Sequence, residues 1–108
     1  MTDLYQDIAP ARADVDAIAD PLVIEFGAPW CGHCQGAQPL IHKAFDPYPA
    51  LRHLKVEDGR GKPLGRSFQV KLWPTLIFLK AGKEIARVVR PAEVDELTSA
   101  LALLAAAD

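Results

Sequence analysis

Five residues between Pro21 and Gly27, Leu22-Val23-Ile24-Glu25-Phe26, limit what this chain can fold into more than any other stretch. A short, near-continuous apolar run closed off by proline and glycine reads as a strand buried on both faces. Such a strand needs cover above and below, which the rest of the 108-residue chain must supply. At 50% hydrophobic composition the chain can bury one core without metal or disulfide staples. Glu25 is the one charged residue inside the run.

The flanking patterns predict that cover. A weakly amphipathic segment with Val15 and Ile18 predicts a helix from near Pro10 to Asp20. Beyond the strand, Ala37, Leu40, Ile41, Ala44 and Phe45 follow the spacing of a helix with one buried face, kinked at Pro39 and ended by Asp46-Pro47-Tyr48-Pro49. Leu51 to Val56 predicts a short strand, followed by the polar loop Glu57-Asp58-Gly59-Arg60-Gly61 and a helix from about Pro63 to Gln69. Leu76 to Leu79 and Ile85 to Val89 flank Lys80-Ala81-Gly82-Lys83 with the spacing of an antiparallel hairpin. Pro91 opens a last helix with the apolar stripe Val94, Leu97, Leu101 and Leu104. This order implies an α/β protein, one domain over residues 1–108, with a central mixed sheet flanked by helices on both faces.

The opening residues Met1 to Asp7 are acidic and lack the basic start and apolar run of a secretory signal, so a cytoplasmic location is expected. No apolar stretch approaches the length of a membrane span, and no membrane role is expected. The net charge of −2 conceals a basic stretch: residues 52 to 90 carry ten Lys/Arg against three Asp/Glu. No aromatic platform is interleaved with it, so it reads as a solvated surface or a patch for an acidic protein partner rather than a nucleic-acid interface.

Chemistry is concentrated in Trp30-Cys31-Gly32-His33-Cys34, which holds both cysteines of the chain. Two cysteines so spaced can open and close a disulfide, and with no others there is no structural disulfide framework. A zinc site would have to draw on His33, His42 and His53, which lack ligand spacing, so no metal is expected. Gly59-Arg60-Gly61-Lys62 lacks the glycine-lysine-serine/threonine pattern of a phosphate loop and reads as a turn; no organic cofactor is expected either. Cys31 falls where strand and loop give way to a helix, where unpaired N–H groups stabilise a thiolate. It is the expected attacking thiol, with Cys34, one turn deeper, as the resolving thiol. His33 between them should favour thiolate over disulfide and make the bond more oxidising than a proline would.

Glu25 precedes Cys31 on the buried strand. Burial should raise its pKa, and a neutral carboxyl there could shuttle a proton to and from Cys34, with Lys55 on the next strand as its partner. In Trp73-Pro74-Thr75, an aromatic before proline favours a cis bond, which would turn main-chain groups toward an extended substrate.

With these residues in hand the sequence resembles the thioredoxin superfamily over nearly its whole length. Glu25-Phe26 and Ala28-Pro29-Trp30-Cys31-Gly32-His33-Cys34 are especially similar to the catalytic domains of protein disulfide isomerase, apart from Gly27, where those domains usually carry an aromatic. Pro39, Lys55, Pro74-Thr75 and Gly82 resemble the corresponding residues of a bacterial thioredoxin. The resemblance implies the thioredoxin fold and a protein-disulfide oxidoreductase with Cys31, Cys34, Glu25 and Lys55 as catalytic residues. Trp30, Gly32, His33, Trp73, Pro74 and Thr75 would contact substrate. It implies disulfide-containing protein substrates, an electron donor such as a thioredoxin reductase or glutathione, a monomer, and net reduction in the cytosol. Oxidase or isomerase action, and a redox-inert binding module or chaperone on the same fold, are the alternatives. Gln35 departs from the lysine or arginine usual in the family. Arg90-Pro91 replaces a glycine at the docking loop, and Arg90 is read either as a residue that swings toward the buried site or as a solvated side chain.

Overall fold

Leu22–Gly27 forms the first strand (β1), and all of its residues are buried. Strand β2 (Arg52–Glu57) pairs with it in parallel, while β3 (Thr75–Lys80) pairs antiparallel on its other side and carries β4 (Lys83–Val89) at the edge, giving the order β2-β1-β3-β4. The computed structural model describes residues 4–107; Met1 to Asp3, within the N-terminal stretch weighed above for a secretory signal, and Asp108 lie outside them. Among the described residues no helix is long and apolar enough to cross a membrane.

Alternation along β1 divides the core in two. Leu22, Ile24 and Phe26 pack with Val15, Leu64 and Phe68, so the short helices α1 (Arg12–Asp16) and α3 (Pro63–Ser67) cover that face. Val23 faces the other way, with Ile41 and Phe45 of helix α2 (Gly32–Phe45) and Leu97, Leu101 and Leu104 of helix α4 (Val94–Ala106). Glu25 shares the Val23 side and thus points beneath α2.

Three helices are shorter than their patterns predict. The first stops at Asp16 rather than Asp20: Val15 alone of its residues is buried, and Pro21 disfavours helical backbone just before it. The third ends at Ser67 because Gln69 takes φ 58, which closes the turn. The last begins at Val94, not Pro91, since the Glu96 carboxylate accepts the N–H groups of Ala92 and Glu93 and sets the start there. The hairpin forms as predicted on Ala81 (φ 51) and Gly82 (φ 77), the left-handed pair that a tight two-residue turn requires. Upstream of α1, Gln6 adds one rung to β2, its N–H donating to the Lys55 carbonyl and its carbonyl accepting from Glu57. That rung lays the N-terminal segment against the free edge of the sheet.

Candidate active site

Strand β1 runs into the loop Ala28-Pro29-Trp30, and Cys31 caps the N-terminus of α2. Both cysteines are free thiols. The Cys31 Sγ accepts the N–H of Cys34 at 3.2 Å, so the sulfur meets the donor end of the helix, where negative charge is favoured. Cys31 is 8% exposed and Cys34 1% exposed, so the outer sulfur can be reached and the inner one is shielded. Burial pushes the Cys34 thiol up to about 11, and its hydrogen bonding with Cys31 adds to the shift.

Beneath the pair lies a polar network inside the core. Glu25 is fully buried on β1. Its Oε1 lies 2.9 Å from His53 Nε2, and since an ionised carboxylate only accepts, that nitrogen carries the proton. Its Oε2 accepts from the Tyr5 hydroxyl and, at 3.0 Å, from Gln38 Nε2. Lys55 Nζ stands 3.8 Å from the same oxygen, donates to Gln38 Oε1 at 2.7 Å and lies over the Tyr5 ring. Burial alone would raise the Glu25 pKa, as expected from the sequence; the hydrogen bonds from His53, Tyr5 and Gln38 and the Lys55 charge outweigh it, and the net direction is downward. The expectation of a raised pKa is therefore corrected: Glu25 is an ionised acceptor. Among the described residues no buried side-chain polar atom lacks a partner.

The outer surface is aromatic. Trp30, 70% exposed, meets Trp73 edge to face with ring centroids 5.4 Å apart. Trp73 packs against the cysteines, and its indole N–H donates to Asp58 Oδ2 at 2.9 Å. The Trp73–Pro74 peptide is cis. Gly32 and His33 are exposed on a groove of about 450 Å³ shared with Arg90 and Pro91. A second groove of about 530 Å³ is lined by Asp58, Arg60, Lys62, Arg66, Lys71 and Trp73.

Not every residue predicted for the site presents its side chain. Thr75 is buried and its hydroxyl donates to the Leu72 carbonyl, so it offers substrate no side-chain contact. Arg90 is exposed, as the solvated reading has it, and does not reach the buried site; its Nε donates to the Trp73 carbonyl at 2.8 Å and its backbone N–H to the Pro74 carbonyl, bracing that loop. His53, weighed above only as a zinc ligand, joins the carboxylate network and stacks on Phe45. Tyr5 and Gln38 were not singled out at all. Gln38 had a local signal, one turn after Cys34, whose carbonyl its amide reaches at 2.9 Å. Tyr5 had none. No group of three or more His, Cys, Asp or Glu among the described residues could hold a metal ion.

Comparison with known proteins agrees with this arrangement. The family model described as thioredoxin matches residues 9–103. The solved structure of thioredoxin 2 from Pseudomonas aeruginosa in its reduced form superposes with a TM-score of 0.87 at 54% identity, covering 99% of this chain and 100% of that one. A protein disulfide-isomerase of Triticum aestivum is 37% identical over 95 residues, 80% of this chain but 18% of that protein. Thioredoxin H2 of Arabidopsis thaliana is 34% identical over 85 residues, covering 79% of this chain and 63% of its own length. The chain thus spans less than two thirds of these two curated relatives.

Proposed function

Because the chain belongs to the thioredoxin family, whose members are protein-disulfide oxidoreductases, we propose that it reduces protein disulfides in the cytosol through Cys31 and Cys34. The observation that carries this reading is the pair itself: one thiol at the donor end of α2, reachable from outside, and a second thiol buried one turn deeper. The Cys31 thiolate attacks one sulfur of a substrate disulfide and forms a mixed disulfide, and the other substrate sulfur leaves as a thiolate. Cys34, once deprotonated, attacks Cys31 Sγ; the Cys31–Cys34 bond forms and the second substrate thiolate departs. Two electrons have moved from the dithiol to the substrate. A thioredoxin reductase or glutathione then returns the pair to thiols, and the chain acts as a monomer without metal or cofactor.

Trp30, Gly32, His33 and the Trp73-Pro74 loop hold the substrate segment in this reading, a role supported by the exposure of Trp30, Gly32 and His33 and by the pairing of Trp30 with the half-buried Trp73 beside Cys31; Pro74 itself is buried. Glu25 takes the proton that Cys34 must lose, and Lys55 keeps the carboxylate ionised; their burial together supports this.

Reduction of insulin by dithiothreitol tests the reading. The native chain should accelerate it, Cys31→Ser should abolish the acceleration, and Cys34→Ser should accumulate a mixed disulfide visible by mass spectrometry. A folded chain that does not accelerate the reaction would instead be a redox-inert adaptor. Preferential alkylation of Cys34 over Cys31 at neutral pH would reverse the two roles. Similarity to a disulfide isomerase, with a histidine between the cysteines, favours oxidase or isomerase action as the second reading.

A further inference from the structure

Tyr5 has no part in the scheme above, yet its hydroxyl lies between the two groups that must exchange a proton. It donates to Glu25 Oε2, and its oxygen lies beside the Cys34 thiol. The two groups converge on Gly27: a Cβ there would lie 2.7 Å from Cys34 Sγ, 2.7 Å from the Tyr5 hydroxyl oxygen and 2.9 Å from the ring carbon bearing it. Any side chain at position 27 would push the phenol away from the thiol. Glycine at this position therefore leaves room for Tyr5.

We propose that the Tyr5 hydroxyl is the proton conduit between Cys34 and Glu25 during resolution of the mixed disulfide, a role that rests on the thiol-exchange reading above. Cys34 S–H gives its proton to the Tyr5 oxygen while Tyr5 O–H gives its own to Glu25 Oε2. The products are a Cys34 thiolate, an unchanged phenol and a neutral Glu25 carboxyl, so protons and charge balance. The thiolate then forms its bond to Cys31 Sγ and the substrate thiolate leaves with the electron pair. A Cys34 thiol pushed up to about 11 keeps its proton near neutrality until a base takes it. Glu25, held ionised, is that base. Burial and then the Glu25 charge hold the phenol far above its ordinary range, so it passes a proton on without resting as a phenolate. The competing route is direct loss to water through a cavity of about 300 Å³ that Cys34 shares with Leu4, Tyr5, Pro29, Gln35 and Gln38.

Single-turnover reaction of the reduced chain with a disulfide peptide, quenched at intervals, separates formation of the mixed disulfide from its resolution. In Tyr5→Phe the ring stays and only the hydroxyl is lost. Resolution should slow by about tenfold or more, as for loss of a general acid-base group, and mixed disulfide should accumulate. Glu25→Gln should slow the same step, and the double variant should be no slower than the slower single variant, because both residues lie on one path. Effects that multiply in the double variant would assign Tyr5 a structural role and overturn the conduit. So would Tyr5→Phe resolving at the native rate, which would send the proton out through the cavity. If the native chain forms no mixed disulfide at all, the thiol-exchange reading fails and the conduit with it; normal formation with normal resolution in Tyr5→Phe removes only the conduit.

Discussion

Glu25 couples the stability of the fold to its chemistry. In the folded chain its carboxyl is held below the ordinary value of 4.5, with burial opposing ionisation and the bonds from His53, Tyr5 and Gln38 prevailing. A lowered folded-state pKa means that the contribution to stability is present above the unfolded-state value and is lost as pH falls through the folded-state value. Glu25→Gln leaves the buried Lys55 ammonium without its carboxylate, and breaking a buried pair in this way costs about 3 kcal/mol. Urea denaturation should show that gap at pH 7, and the gap between native chain and variant should narrow as pH is lowered past 4.5. A gap of the same size at pH 3 would mean that Glu25 is not ionised in the native core.

Among the elements, α2 does most to build the site. Its first turn presents Cys31 and Cys34, its second supplies Gln38 to the carboxylate network, and its later residues Ile41 and Phe45 anchor it on the sheet. Helix α4 packs in the same core layer through Leu97, Leu101 and Leu104. Leu101→Ala should therefore cost about 3 kcal/mol in urea, as expected for truncation of a buried leucine, with the thiol-exchange rate of the folded molecules unchanged. The β3–β4 hairpin allows the opposite change. Ala81 holds φ 51, a conformation that disfavours a Cβ and that Asn adopts more readily, and Gly82 follows it. Ala81→Asn creates the Asn-Gly pair preferred by such turns and should stabilise the chain by about 0.5–1 kcal/mol in the same assay.

At the scale of the whole molecule, the sheet order sets the redox site. Parallel pairing of β1 with β2 brings Lys55 level with Glu25 and His53 level with Val23, so two polar side chains of the edge strand reach beneath α2. The surroundings of the cysteines then tune the balance between thiol and disulfide forms. With His33 on the exposed first turn of α2, the reduction potential is expected in the upper half of the interval from about −270 mV for thioredoxin to about −180 mV for disulfide isomerase. Equilibration in glutathione buffers, followed by tryptophan fluorescence from Trp30 beside the pair, measures it. A value at or below about −270 mV would contradict the effect assigned to His33.

What depends on neighbours along the chain is legible in the residues alone. The apolar run at Leu22–Phe26, the heptad-like stripe of α2, the Ala81-Gly82 turn and the pairing of Cys31 with Cys34 are local patterns, and a local pattern is read from spacing alone. Glu25 was conspicuous for the same reason, a charge inside an apolar strand. Helix ends were less legible, because they depend on caps such as Glu96 and on how much apolar face remains to be buried. The surroundings of Glu25 come from packing between distant segments. His53 faces it because strand alternation puts positions 53 and 55 on one side, and Tyr5 reaches it because Gln6 hydrogen-bonds to the free edge of β2. Those partners reverse the direction of the Glu25 pKa, and Tyr5 fills the space above Gly27 beside Cys34. A charge buried in a core takes its properties from whatever donors the fold brings within hydrogen-bond reach, and most of these come from distant parts of the chain.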